Sequence, residues 1–147
     1  MGNNRKPIEL LFIERNPGNL KKLFEAFEES KFTYSMRFAG NADEAMRMIL
    51  QIGEYDDIPQ PDLIIADIHS YRKEAGIGVL EEVLERIANA ESIKCIPTII
   101  ITSLAEEVGK LKIHDCPNLL IHKPKNLNEY TDDMKSIEEF LLKNILR

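Results

Sequence analysis

Pro61-Asp62-Leu63-Ile64-Ile65-Ala66-Asp67 places four consecutive apolar residues between two aspartates. An apolar run of that length without polar alternation reads as a strand buried on both faces, as in parallel sheets. Three other runs behave alike. Ile8 to Ile13 leads into Glu14-Arg15, Ile96 to Ile101 leads into Thr102, and Leu119-Leu120-Ile121-His122 leads into Lys123-Pro124. Phe32 to Phe38 alternates Phe, Tyr and Met with Thr, Ser and Arg, which suits a half-exposed strand.

Between these strands the apolar period changes to that of helices. Leu20, Leu23, Phe24 and Phe27 mark a first helix reaching to about Ser30. Ala45, Met46, Met48, Ile49 and Ile52 mark a second, after Gly40-Asn41-Ala42-Asp43-Glu44. Val79, Leu80, Val83, Leu84 and Ile87 mark a third, with Gly76 and Gly78 flanking its entry. A short helix over Leu104 to Ile113 is weakened by Gly109. A long final helix from Asn126 carries Tyr130, Met134, Ile137, Phe140, Leu141 and Ile145 on one face. Alternating strands and helices predict an α/β fold, a doubly wound five-stranded parallel sheet with helices on both faces.

The bulk numbers narrow the function classes. At 147 residues the chain is expected to form one domain over residues 1–147, with residues 1–7 flexible. A net charge of −6 argues against a nucleic-acid binder. No apolar stretch reaches membrane-spanning length, and the polar start lacks the apolar core of a signal peptide. Cys95 and Cys116 are far apart and lack CxxC spacing, so they are expected to be small, semi-buried hydrophobes in a reduced, cytoplasmic protein.

Ligands of open α/β sheets bind outside the carboxyl ends of the strands. Glu14, Arg15, Asp67, Thr102 and Lys123 all follow or end such strands. In strand order 2-1-3-4-5 the ends of strands 1 and 3 are neighbours, which sets Glu14 and Arg15 beside Asp67. A carboxylate there can attack a phosphoryl donor, a hydroxyl and an ammonium can hold phosphoryl oxygens, and Mg²⁺ can neutralise them.

Ile13-Glu14-Arg15-Asn16-Pro17, Pro61 to Asp67, Ile96 to Ser103 and His122-Lys123-Pro124 together resemble the receiver domain of two-component response regulators, over nearly the whole chain. The layout is most similar to CheY-like, single-domain regulators of the phytochrome-associated type. The resemblance implies a flavodoxin-like sheet of order 2-1-3-4-5 with no output domain. It implies Asp67 as phosphoacceptor, Thr102 as switch hydroxyl and Lys123 as a phosphoryl contact. Glu14, Asp67 and the backbone carbonyl of His69 would bind Mg²⁺. A sensor histidine kinase, phytochrome-like in type, would dock on the first helix and the Asn16-Pro17-Gly18 loop. A downstream partner or second copy would use the Leu104–Ile113 helix, the last strand and the final helix. No independent enzymatic substrate, nucleic acid or membrane is implied.

Four positions depart from the pattern. Arg15 stands where a second metal-binding acid is expected, so Glu14, Arg15 and Asp67 carry −1 between them, and Lys123 brings the pocket to zero. Ile68-His69-Ser70-Tyr71-Arg72-Lys73 lacks the expected proline. Leu120 occupies the aromatic switch position, and His114-Asp115-Cys116-Pro117 replaces the usual turn before the last strand. Arg15 therefore opens a rival reading, a phosphorylation-independent adaptor in which the guanidinium pairs with Asp67 in place of Mg²⁺. Two further rivals are weak: a transition-metal site at His69, and a flavodoxin-like enzyme, for which no Gly-rich loop follows the first strand.

Overall fold

The computed structural model describes residues 7–13, 21–30, 32–68, 77–90, 93, 95–102, 116–122 and 130–145. They form β1 (Ile8–Ile13), α1 (Lys21–Glu28), β2 (Tyr34–Ala39), α2 (Ala42–Leu50) and a 3₁₀ turn at Gly53–Tyr55. β3 (Leu63–Ile68), α3 (Ile77–Asn89), β4 (Thr98–Thr102), β5 (Asn118–His122) and α4 (Tyr130–Asn144) follow. The five strands make one sheet in the order β2-β1-β3-β4-β5, every neighbouring pair parallel. This is the order expected of a doubly wound sheet. The predicted Leu104–Ile113 helix and the Asn16-Pro17-Gly18 loop lie outside the described residues.

Two hydrophobic layers sandwich the sheet. Leu11, Ile13, Ile64, Ala66 and Ile100 face α2 and α3, meeting Ala45, Met46, Ile49, Leu80, Val83 and Leu84. Leu10, Phe12, Leu63, Ile65, Ile99 and Ile101 face α1 and α4, meeting Leu23, Phe27, Ile137 and Leu141. Successive side chains of a strand point to opposite faces, so an unbroken apolar run fills both layers at once. Phe12 centres the second layer, stacked on Phe38 at 5.4 Å and edge-on to Phe24 at 5.1 Å and Phe27 at 6.4 Å.

Local chemistry sets the element ends. Asn41 caps α2, its side-chain oxygen accepting from the Glu44 backbone N–H at 2.8 Å. Gln51 ends α2 in a left-handed conformation (φ 56°), and its side-chain amide donates to the Ile58 carbonyl at 2.6 Å. The helix therefore stops before Ile52, which is 49% exposed. This corrects the expectation that Ile52 extends the apolar face of the second helix. β4 begins at Thr98 rather than Ile96, because Pro97 has no N–H to donate to a ladder; its carbonyl instead accepts from the Ile64 N–H at 3.0 Å.

The cysteines also need correction. Cys95 and Cys116 are joined as a disulfide, with Cα atoms 5.4 Å apart. A separation of 21 residues in the chain is no separation in space here, because the two residues precede β4 and β5, which are parallel neighbours. The expected state, two small reduced hydrophobes, gives way to a covalent tie. Among the described residues, no helix is long and apolar enough to cross a membrane.

Candidate functional site

The register aligns the carboxyl ends of the central strands. Ile13, the last residue of β1, pairs with Ala66, the residue before Asp67, so β1 ends level with the Asp67 end of β3. Asp67 pairs with Ile101 and Ile68 with Thr102. Thr102 in turn pairs with His122, the residue before Lys123. β1, β3, β4 and β5 therefore end at one edge of the sheet, which carries Asp67 and Thr102. This convergence is the site, as far as the backbone defines it.

Thr102 is the site side chain that the structure describes, and it is fully buried. β4 carries it there because all five of its residues are buried, leaving Thr102 at the end of an otherwise apolar strand apart from Thr98. Thr98 is buried at the other end, and its hydroxyl donates to the Ile96 carbonyl at 3.1 Å. The backbone of Asp67 is placed within β3. Glu14, Arg15, His69 and Lys123 lie outside the described residues, as do His114 and the part of the Ile68–Lys73 departure after Ile68.

The first aspartate of the quoted motif has a different task. Asp62 sits at the amino end of β3, where its Oδ2 accepts from the Glu9 N–H at 3.0 Å. Its own N–H donates to the Glu9 carbonyl at 2.8 Å. Asp62 thus clamps the starts of β1 and β3 and sets the register that delivers Asp67 to the opposite end. Glu9 also pairs with Arg37 at 2.9 Å across β1 and β2.

Two features escaped sequence reasoning. One is the Cys95–Cys116 bridge. The other is an open groove at the amino end of β2, about 490 Å³ in volume and lined by Phe27, Ser30, Phe32, Tyr34 and Met36 among others. Burial raises the Tyr34 hydroxyl above its ordinary pKa, and the Ser30 hydroxyl, which donates to it at 3.1 Å, offsets part of that rise. The groove lies at the amino end of its strand, away from the edge that carries Asp67. Leu120, which the resemblance sets at the aromatic switch position, is 42% exposed on β5.

Known proteins share this architecture. The chain is 25% identical over 142 residues to the response regulator Rcp1 of Synechocystis sp. (strain ATCC 27184 / PCC 6803 / Kazusa), spanning 95% of this chain and 92% of that protein. It superposes on the crystal structure of the phosphorylated cyanobacterial phytochrome response regulator RcpA with a TM-score of 0.73 and 28% identity, over 93% of this chain and 95% of that one. Against the Mn²⁺-bound form of response regulator Rcp1 the TM-score is 0.71 at 24% identity, over 95% of this chain and 97% of that one. No family model matches the chain.

Proposed function

Because the chain is a CheY-like receiver domain, we propose that it works in a phosphorelay by accepting a phosphoryl group on Asp67 from a sensor histidine kinase. The observation that carries this reading is the common level of the strand ends: Ile13 opposite Ala66, Ile68 opposite Thr102, and Thr102 opposite His122. A carboxylate oxygen of Asp67 attacks the phosphorus of a phosphohistidine. The nitrogen–phosphorus bond breaks, the imidazole leaves, and an acyl phosphate remains on Asp67. Thr102 donates its hydroxyl to a phosphoryl oxygen, and Lys123 pairs with another.

Glu14, Asp67 and the His69 carbonyl are the groups that would hold Mg²⁺, which supplies charge neutralisation at the phosphoryl oxygens. The donor set fits that ion poorly. Arg15 stands beside Glu14 in the chain and cancels one of its two carboxylate charges. At an effective dielectric near 20, each unit charge close to a dication is worth on the order of a few kcal/mol. No step above is therefore routed through the metal. Relatives include a phytochrome response regulator and a Mn²⁺-bound regulator, which supports a phytochrome-like kinase as partner here and a divalent cation as ligand.

The charge on Arg15 favours one further reading, an adaptor in which the guanidinium neutralises Asp67 permanently. Intact-mass measurement after incubation with phosphoramidate and Mg²⁺ separates the two. The phosphorelay reading expects a gain of one phosphoryl group that disappears in Asp67→Asn. No gain in the parent chain, with gain restored by Arg15→Asp, establishes the adaptor instead.

A further inference from the structure

We propose that Cys95 and Cys116 form a reversible thiol–disulfide centre that controls how firmly the edge strand β5 is held on the sheet. The pair stands at the amino ends of β4 and β5, with Cα atoms 5.4 Å apart, within the usual span of a disulfide. It is therefore at the end of the sheet opposite Asp67 and Thr102, and the proposal does not depend on phosphoryl transfer.

The strand it ties is an edge strand. β5 is the last strand of the sheet and pairs with β4 alone. Of Asn118, Leu119, Leu120 and Ile121, only Ile121 is buried, whereas every residue of β4 is buried. Weakly buried edge elements open with lower free energy than core strands. The noncovalent links between the two strands include the Thr98 N–H to the Pro117 carbonyl at 3.0 Å and the ladder that runs from Thr98–Asn118 to Thr102–His122. These survive reduction, so the reduced chain stays folded while β5 loosens locally.

The two sulfurs are unequal in access. Cys95 is exposed and Cys116 is 8% exposed. Attack therefore comes at Cys95. The thiolate of a dithiol reductant bonds to the Cys95 sulfur, the bond to Cys116 breaks, and the Cys116 thiolate leaves and takes a proton. The second thiol of the reductant then displaces Cys95 and departs with its partner as a disulfide. Two electrons and two protons have passed from the dithiol to the pair. Oxidation runs the same exchange in reverse with a disulfide of the same class.

The test uses the whole chain equilibrated in graded mixtures of reduced and oxidised dithiothreitol. Alkylation followed by intact mass counts the free thiols, and hydrogen exchange reports on each strand. The expected result is no alkylation at the oxidising end, two groups at the reducing end, and one transition between them. On reduction, amides of β5 should exchange at least tenfold faster while those of β1 and β3 keep their rates. Cys95→Ser and Cys116→Ala, each made separately, should show the fast β5 rates whatever the mixture. Two alkylated thiols at the oxidising end, or bridges formed only between molecules, overturn the proposal. So does a bridged protein whose β5 exchanges as fast as the reduced one.

Discussion

Ile68 of β3 and Thr102 of β4 are register partners, which puts Thr102 one position beyond Asp67 at the carboxyl edge of the sheet. Thr102 ends a fully buried strand, so its hydroxyl is fixed by the fold rather than borrowed from a loop. A hydrogen bond to a charged group is worth about 1.5–3 kcal/mol. Thr102→Ala is expected to slow phosphoryl loading from a small donor by about tenfold or more, and Thr102→Ser to retain most of the rate. Timed intact-mass measurements check both.

Arg15→Asp should tighten Mg²⁺ binding. The change adds one anion and removes one cation beside a dication, an effect of a few kcal/mol at an effective dielectric near 20. About a hundredfold fall in the Mg²⁺ dissociation constant is expected, measured by titration calorimetry. An unchanged constant would show that residue 15 does not face the metal position.

Phe12 is fully buried among Phe24, Phe27 and Phe38. Phe12→Ala removes the centre of that layer and should cost about 3–5 kcal/mol in urea unfolding. Asn41→Ala leaves the Glu44 N–H without its side-chain acceptor and should cost about 1 kcal/mol. The contrast separates a packing defect from the loss of a helix cap.

The half-buried Tyr34 titrates above its ordinary value because burial disfavours the phenolate. A group whose pKa is raised in the folded state contributes stability that is complete below the unfolded value and is lost as pH rises through the folded one. Stability should therefore be insensitive to Tyr34 up to about pH 10, the ordinary tyrosine value, and fall above it. Tyr34→Phe should flatten that alkaline fall, read from urea midpoints at successive pH values.

The sheet was legible because its strands are long apolar runs, and such runs have few other homes than a sheet covered on both faces. Leu63 to Ala66 alone predicts the central strand, and burial of all four bears it out. Element ends were less legible, since they depend on single backbone groups: Pro97 delays β4, and Gln51 turns the chain before Ile52 can join α2. The site positions could be read as strand-terminal residues, and the register brings the strands carrying them to one edge. The cysteine bridge was missed because the expectation weighed spacing in the chain and not the adjacency of the fourth and fifth strands. The strand order makes Cys95 and Cys116 neighbours, since they precede β4 and β5.

The aromatic rings that touch one another among the described residues, Phe12, Phe24, Phe27, Tyr34 and Phe38, all belong to the layer under α1 and α4. The layer under α2 and α3 is built from Ala, Met, Val, Leu and Ile, with Tyr55 at its margin. The chain contains no tryptophan. Among the described residues, the clustered rings therefore report mainly on one layer. Near-ultraviolet dichroism and shifted methyl resonances watch the face that carries α1. Events within the other layer are better followed by labelled methionine methyls, which Met46 and Met48 supply.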